Sequence, residues 1–127
     1  MSDEPEPRAT TRQSSLATHH SLFVYGTLMD DAVVAQLVGR CLPKRTATLH
    51  GYRKVTPVGD YPYIVVDPTA RVDGTLLLDV DAAALRAFDH YEDEGHLYRR
   101  IGVEVDVGND LRSAWVYVGV RVGTGGR

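Results

Sequence analysis

Cysteine is nearly missing from this chain: Cys41 stands alone among 127 residues. One thiol closes no intramolecular disulfide and builds no cysteine-based zinc site. Cys41 follows a helical run and adjoins apolar Leu42, so a buried structural thiol is expected; no surroundings that would make it a low-pKa nucleophile are evident. Long apolar runs are missing too, and none approaches the roughly 18 residues of a membrane span. Basic residues are outnumbered, 14 Lys and Arg against 17 Asp and Glu, for a net charge of −3. Nothing therefore marks a nucleic-acid partner, which would show as a clustered basic face. The opening MSDEPEPRATTRQSSLATHH begins acidic and has no apolar core. It does not read as a secretory signal, and a cytoplasmic location is expected.

What is present suits one ordinary domain. Hydrophobic residues make up 43% and charged residues 24%, enough for a core without staples. Residues 1–20 are rich in Pro, Ser, Thr and charge and read as a disordered tail. The domain is expected over 21–122, with 123–127 a flexible end. His19 and His20 could hold a metal as a pair, but two histidines at such a junction are more often simply solvated.

LFVYG, residues 22–26, is a short apolar run suited to a buried strand. DDAVVAQLVGR follows with Val33, Val34, Leu37 and Val38 at helical spacing, opened by Asp30 or Asp31 and closed by Gly39. ATLHGYRKV and YPYIVVD read as strands around a Pro-Val-Gly-Asp turn, and RVDGTLLLDV as another. Gly74 inside that last run suggests a bulge or a close approach by another backbone. A second helix, DAAALRAFDHYE, is capped by Asp79 or Asp81, and YRRIGVEVDV and SAWVYVGV form a hairpin. The whole predicts an α+β fold: a small, mostly antiparallel β-barrel of about six strands with two helices packed outside.

Two features carry chemistry. At Gly26 a strand hands its backbone almost directly to a helix. Glycine admits φ > 0 and leaves neighbouring N–H groups uncovered, so the turn could seat a carboxylate or phosphate. It is not a P-loop, since the glycine spacing and lysine of that motif are absent; an ordinary strand-to-helix turn is the alternative. On the second helix, Leu85, Phe88, Asp89 and Glu92 fall at i, i+3, i+4 and i+7, on one face. Leu85 and Phe88 make it the core face, which puts two carboxylates where apolar residues belong. Buried, they would be raised in pKa and fit for acid–base work. Alternatively the helix stops near Tyr91 and EDEGH is a solvated loop ended by Gly95. A metal site from Asp89, His90, Glu92, Asp93, Glu94 and His96 lacks the spacing of known ligand motifs.

FVYGTL (23–28), YP (61–62), VDGTLLLDV (72–80), FDHYE (88–92) and YRR (98–100) resemble, in order and spacing, the gamma-glutamyl cyclotransferase-like family, and within it the small gamma-glutamylamine cyclotransferase and avirulence-induced-gene-like branch. The similarity spans about residues 22–120. It implies a β-barrel core and an enzyme without cofactor or metal. The substrate is a small gamma-glutamyl compound whose α-amino group attacks its own γ-amide, releasing 5-oxoproline and an amine. The resemblance assigns the glutamyl carboxylate to Tyr25, Gly26, Thr27 and Leu28 and the acid–base role to Glu92. Tyr98 could close the pocket or hydrogen-bond the substrate, or simply pack on its strand. Arg100 matches the family's Tyr-x-Arg position and could buttress a carboxylate such as Asp89 or lie on a strand surface. Asp89 itself is expected to be a structural acceptor tying down a nearby loop. A non-catalytic binding module, or a hydrolase in which Glu92 activates water, are the alternatives.

Overall fold

A computed structural model describes residues 20–59, 62–95 and 97–119. Tyr61, His96 and the two expected tails, apart from His20, lie outside the described residues. Five strands, β1 (His20–Val24), β2 (Lys44–Val55), β3 (Tyr63–Val80), β4 (Tyr98–Val107) and β5 (Asp110–Gly119), close into a barrel in the order β1-β3-β2-β4-β5. Neighbours are antiparallel except at the seam, where β1 runs parallel to β5 through Leu22↔Trp115 and Phe23↔Val116. His20, expected in the tail, already belongs to β1. No helix among the described residues is long and apolar enough to cross a membrane.

The expected sixth strand disappears because 63–80 is one continuous strand. Both of its halves pair with β2: Tyr63–Val66 with Val55–Tyr52, and Arg71–Leu77 with His50–Lys44. The residues between them, Asp67–Ala70, bulge out of register, with Asp67 accepting hydrogen bonds from the backbone and hydroxyl of Thr69. The turn-like composition there marks a bulge rather than a strand end.

Gly74 keeps normal register with Ala47, so it is no bulge. A Cβ there would lie 2.4 Å from the Val24 carbonyl oxygen and 2.8 Å from the Phe23 ring. The glycine is needed because β1 crosses against it. The bulge in this part of β3 falls at Asp79 instead, with φ 57, where β1 slips from Leu22↔Leu77 to His20↔Val80. The extra residue turns Val80 to the same side as Leu77, so both pack beneath the helices.

Alternation along β1 feeds two cores. Phe23 and Tyr25 point into the barrel with Leu49, Ile64, Leu76, Val105 and Val116. Leu22 and Val24 face outward beneath the helices, with Leu77, Val80, Leu85 and Phe88. Helix α1 (Asp31–Val38) is capped by Asp30, which accepts from the Ala32 N–H, and ends at Gly39, whose N–H bonds the Ala35 carbonyl. Helix α2 (Ala82–Glu92) is capped by Asp81. Its far end is closed by Asp93 at φ 55 rather than by Gly95. Cys41 is exposed, contrary to expectation. It sits in the connection after Gly39, and it is Leu42 that turns into the core.

Gly74→Ala is expected to lose about 3 kcal/mol or more, since the obstructing atom is backbone and cannot rotate away. Gly102→Ala, whose Cβ would meet nothing nearer than Trp115 at 3.9 Å, is expected to stay within about 0.5 kcal/mol of wild type. Urea unfolding of both variants checks this; equal losses would mean the β1 crossing is not what demands glycine.

Candidate active site

Strand β1 ends at Val24, and the chain passes through Tyr25 and Gly26 into a single 3-10 turn, Thr27–Met29, before α1 begins. Met29 N–H returns to the Gly26 carbonyl and Asp30 N–H to that of Thr27. The Thr27 and Leu28 N–H groups come too early to have partners within the turn. Gly26 does not use the left-handed region: its φ is −137. Close packing constrains it instead, because a Cβ would approach Pro62 Cγ to 3.3 Å. Nor does the α1 N-terminus border the site; the 3-10 turn does.

The turn forms one side of a cavity of about 140 Å³. Gly26, Thr27 and Leu28 line it from one side, Tyr91 and Glu92 from the end of α2, and Tyr98 and Tyr117 from β4 and β5. Tyr25, Gly26, Thr27, Leu28, Glu92 and Tyr98, all singled out in the sequence, thus meet in one place. Leu28 is buried in the outer core and supports the turn from below. Tyr98 is nearly buried and donates its hydroxyl to the Pro62 carbonyl at 2.7 Å, so its ring serves as a wall. Thr27 Oγ and Tyr91 OH lie 2.9 Å apart, joining the turn to the end of α2 at the surface.

Glu92 is the acid of the cavity. Burial withdraws water from its carboxyl and pushes its pKa up to about 7. Its neighbours Asp93 and Glu94 are exposed. The acidic stretch is therefore split: Glu92 faces inward on the last turn of α2, while the next two residues lie at the surface, Glu94 accepting from the Arg100 N–H at 3.3 Å. Among the described residues, no three His, Cys, Asp or Glu side chains converge where an ion could be held.

One turn earlier, Asp89 receives Arg100 in a two-pronged contact, Nε at 2.8 Å and Nη2 at 3.1 Å, and the Tyr117 hydroxyl at 2.7 Å. It ties α2 to β4 and β5, where the sequence suggested a loop. The Arg100 guanidinium also lies 4.5 Å from the centre of the Trp115 ring. Hydrogen bonding to Asp89 raises the Arg100 pKa further, while burial and the contact with Asp89 raise that of Tyr117. Burial likewise raises Tyr25, whose hydroxyl donates to the Tyr117 carbonyl across the seam. Tyr117 and Leu97 escaped the sequence reading, and Pro62 and Tyr91 stood in the quoted motifs without a role. Tyr117 carried only a weak signal, a tyrosine in an apolar strand.

Residues 22–124 match the model of the family described as gamma-glutamyl cyclotransferase, AIG2-like. The chain belongs to that family. It is 38% identical over 93 residues to Protein AIG2 C of Arabidopsis thaliana, an alignment covering 72% of this chain and 55% of that protein. AIG2-like protein D of the same plant is 36% identical, with 72% and 60% covered. The chain thus spans little more than half the length of these curated relatives. Among solved structures, a solution structure of an Arabidopsis thaliana protein superposes with a TM-score of 0.75 at 33% identity, covering 85% of this chain and 67% of that one. A structure titled gamma-glutamyl cyclotransferase superposes at 0.68 with 15% identity, covering 81% and 68%, a likeness of fold alone. The family's barrel with two helices is the one found here.

The Glu92 shift has a measurable cost. The folded protein holds a proton up to about pH 7 that a carboxyl with the ordinary value of 4.5 has already released. Stability therefore declines as pH rises between those values, by about 3 kcal/mol in all. Glu92→Gln is expected to melt above wild type at pH 8 and close to it at pH 5. A variant no more stable at pH 8 than at pH 5, relative to wild type, would mean that the carboxyl is solvated.

Proposed function

We propose that this protein is a gamma-glutamyl cyclotransferase-type enzyme that converts a gamma-glutamyl amide into 5-oxoproline and a free amine. The observation that carries the reading is the position of Glu92: a half-buried carboxyl with a pKa of about 7, on the same cavity as the Gly26–Leu28 turn. The family supports the reaction class, and the site supports a division of labour within it.

The turn's N–H groups receive the substrate's α-carboxylate, fixing one end of a chain that must curl on itself. The α-nitrogen arrives as an ammonium and cannot attack in that form. Glu92, as carboxylate, takes one proton from it. The nitrogen then adds to the γ-carbonyl carbon, a five-membered ring closes, and the bond to the leaving nitrogen breaks. Of the three ammonium protons the lactam nitrogen keeps one; the other two pass to the departing nitrogen, Glu92 returning the first as the bond breaks. No serine or cysteine nucleophile is needed, because the substrate carries its own. Orienting an intramolecular attack can be worth effective molarities of about 10⁵–10⁸ M, and proton transfer a further factor of about 10²–10⁴. Asp89, held by Arg100 and Tyr117, keeps the end of α2 in place. Tyr25, Tyr98 and Tyr117 enclose the ring-closing atoms.

The test is 5-oxoproline formation from gamma-glutamyl-alanine, gamma-glutamyl-ε-lysine and gamma-glutamyl-benzylamine. Wild type is expected to form it and Glu92→Gln to fall by roughly 10²-fold or more. As the active form is the carboxylate, kcat/KM is expected to rise with pH and level above about 7. Release of free glutamate instead would make Glu92 the activator of water. No product from any of the three by folded protein would return the site to a binding role.

A further inference from the structure

Lys54, which the mechanism leaves unused, touches the carboxylate-binding turn. From β2 its ammonium donates to the Tyr25 carbonyl at 3.3 Å, in a partly buried contact. Lys54 pairs with Ile64 across β2 and β3, two residues beyond Pro62, which packs on Gly26 and lines the cavity. Among the described residues its ammonium has no carboxylate partner.

We propose that Lys54 is the positioning residue and countercharge for the substrate's α-carboxylate, acting through the Tyr25–Gly26 peptide. The inference rests on the reading of that turn as the carboxylate site. Two physical arguments carry it. First, the described residues lining the cavity include Glu92 but no Lys, Arg or His. A carboxylate entering beside Glu92 meets like charge, and a 3-10 turn of three residues is too short for a useful dipole. Among the described residues the balancing charge has to come from a side chain just outside the lining, and Lys54 is bonded to the turn itself. Second, the Tyr25–Gly26 peptide is trans. Its carbonyl and N–H therefore point in opposite directions. Holding the carbonyl on the lysine side fixes the direction of the Gly26 N–H and strengthens it as a donor by polarising the peptide.

The role separates from simple packing by comparing ligands that differ in one charge. 5-Oxoproline carries the carboxylate, and 5-oxoprolinamide replaces it with a neutral amide. NMR titration of wild type, Lys54→Met and Lys54→Arg with each compound is the experiment. Wild type is expected to prefer 5-oxoproline by roughly tenfold, a preference that shrinks with added salt. Lys54→Met should lose the preference while still binding the amide, and Lys54→Arg should restore most of it. An equal loss for both ligands would make Lys54 merely structural. An unchanged preference in Lys54→Met, or wild type that binds neither ligand, would overturn the proposal. Should Lys54→Met fail to fold, the salt dependence in wild type and Lys54→Arg decides instead; its absence would overturn the proposal. Because these are binding measurements, their failure is distinct from failure of 5-oxoproline formation, which judges the reaction itself.

Discussion

The three hydrogen bonds on Asp89 hold the site in register. A carboxylate on the core face of a helix would be a liability if it were unpaired. Here Arg100 grips it with two nitrogens and Tyr117 adds a third donor, so one side chain locks α2 against two strands. The paired geometry leaves little rotational freedom, because a guanidinium fork fits a carboxylate in few ways. Glu92 lies three residues further along the same face and inherits that alignment. Among the described residues it has no such partner, and burial raises its proton affinity. Two carboxylates one turn apart thus have opposite assignments: Asp89 is satisfied and structural, Glu92 is left poised near neutrality.

Strand β1 performs the matching task for the other half of the site. Its inward residues fill the barrel and its outward residues fill the space beneath the helices, so its position is fixed on both faces. The turn at Gly26 leaves from the end of this clamped strand, and Pro62 presses against it from the side. Rigid elements therefore flank the cavity on the turn side and on the acid side. Such rigidity is what the proposed cyclisation would require, since that chemistry depends on holding one flexible chain in a curled geometry.

Parts of this were legible in the residues alone. The helical period placed Asp89 and Glu92 beside Leu85 and Phe88, and a carboxylate on a core face is an anomaly that periodicity exposes directly. Arg100 as partner of Asp89 came from the family resemblance and is seen in the geometry. Other details depend on contacts between distant segments. Gly26 was read as a left-handed glycine, whereas its constraint is Pro62, brought close only by the barrel. Asp67–Ala70 looked like a strand break because Pro and Asp punctuate sequences, yet both flanking halves pair with the same neighbour. Tyr117 and Lys54 were passed over because nothing local distinguishes a tyrosine or lysine that donates to a particular oxygen from one that merely packs or is solvated. Cys41 was taken as buried from its apolar neighbour, but adjacency in sequence says little about which of two residues turns inward.

The barrel's closing seam joins Leu22 to Trp115 and Phe23 to Val116, and the Tyr25 hydroxyl reaches the Tyr117 carbonyl across 92 positions of sequence. Turn and acid are contributed by early and middle segments, but the wall between them comes from the last strand. During synthesis the cavity cannot exist until β5 has left the ribosome and docked, long after β2, β3 and α2 have emerged. Closure of such distant contacts is the slow part of folding. Formation of the cavity and completion of the barrel are thus a single event, and a partly folded chain carries no half-formed site.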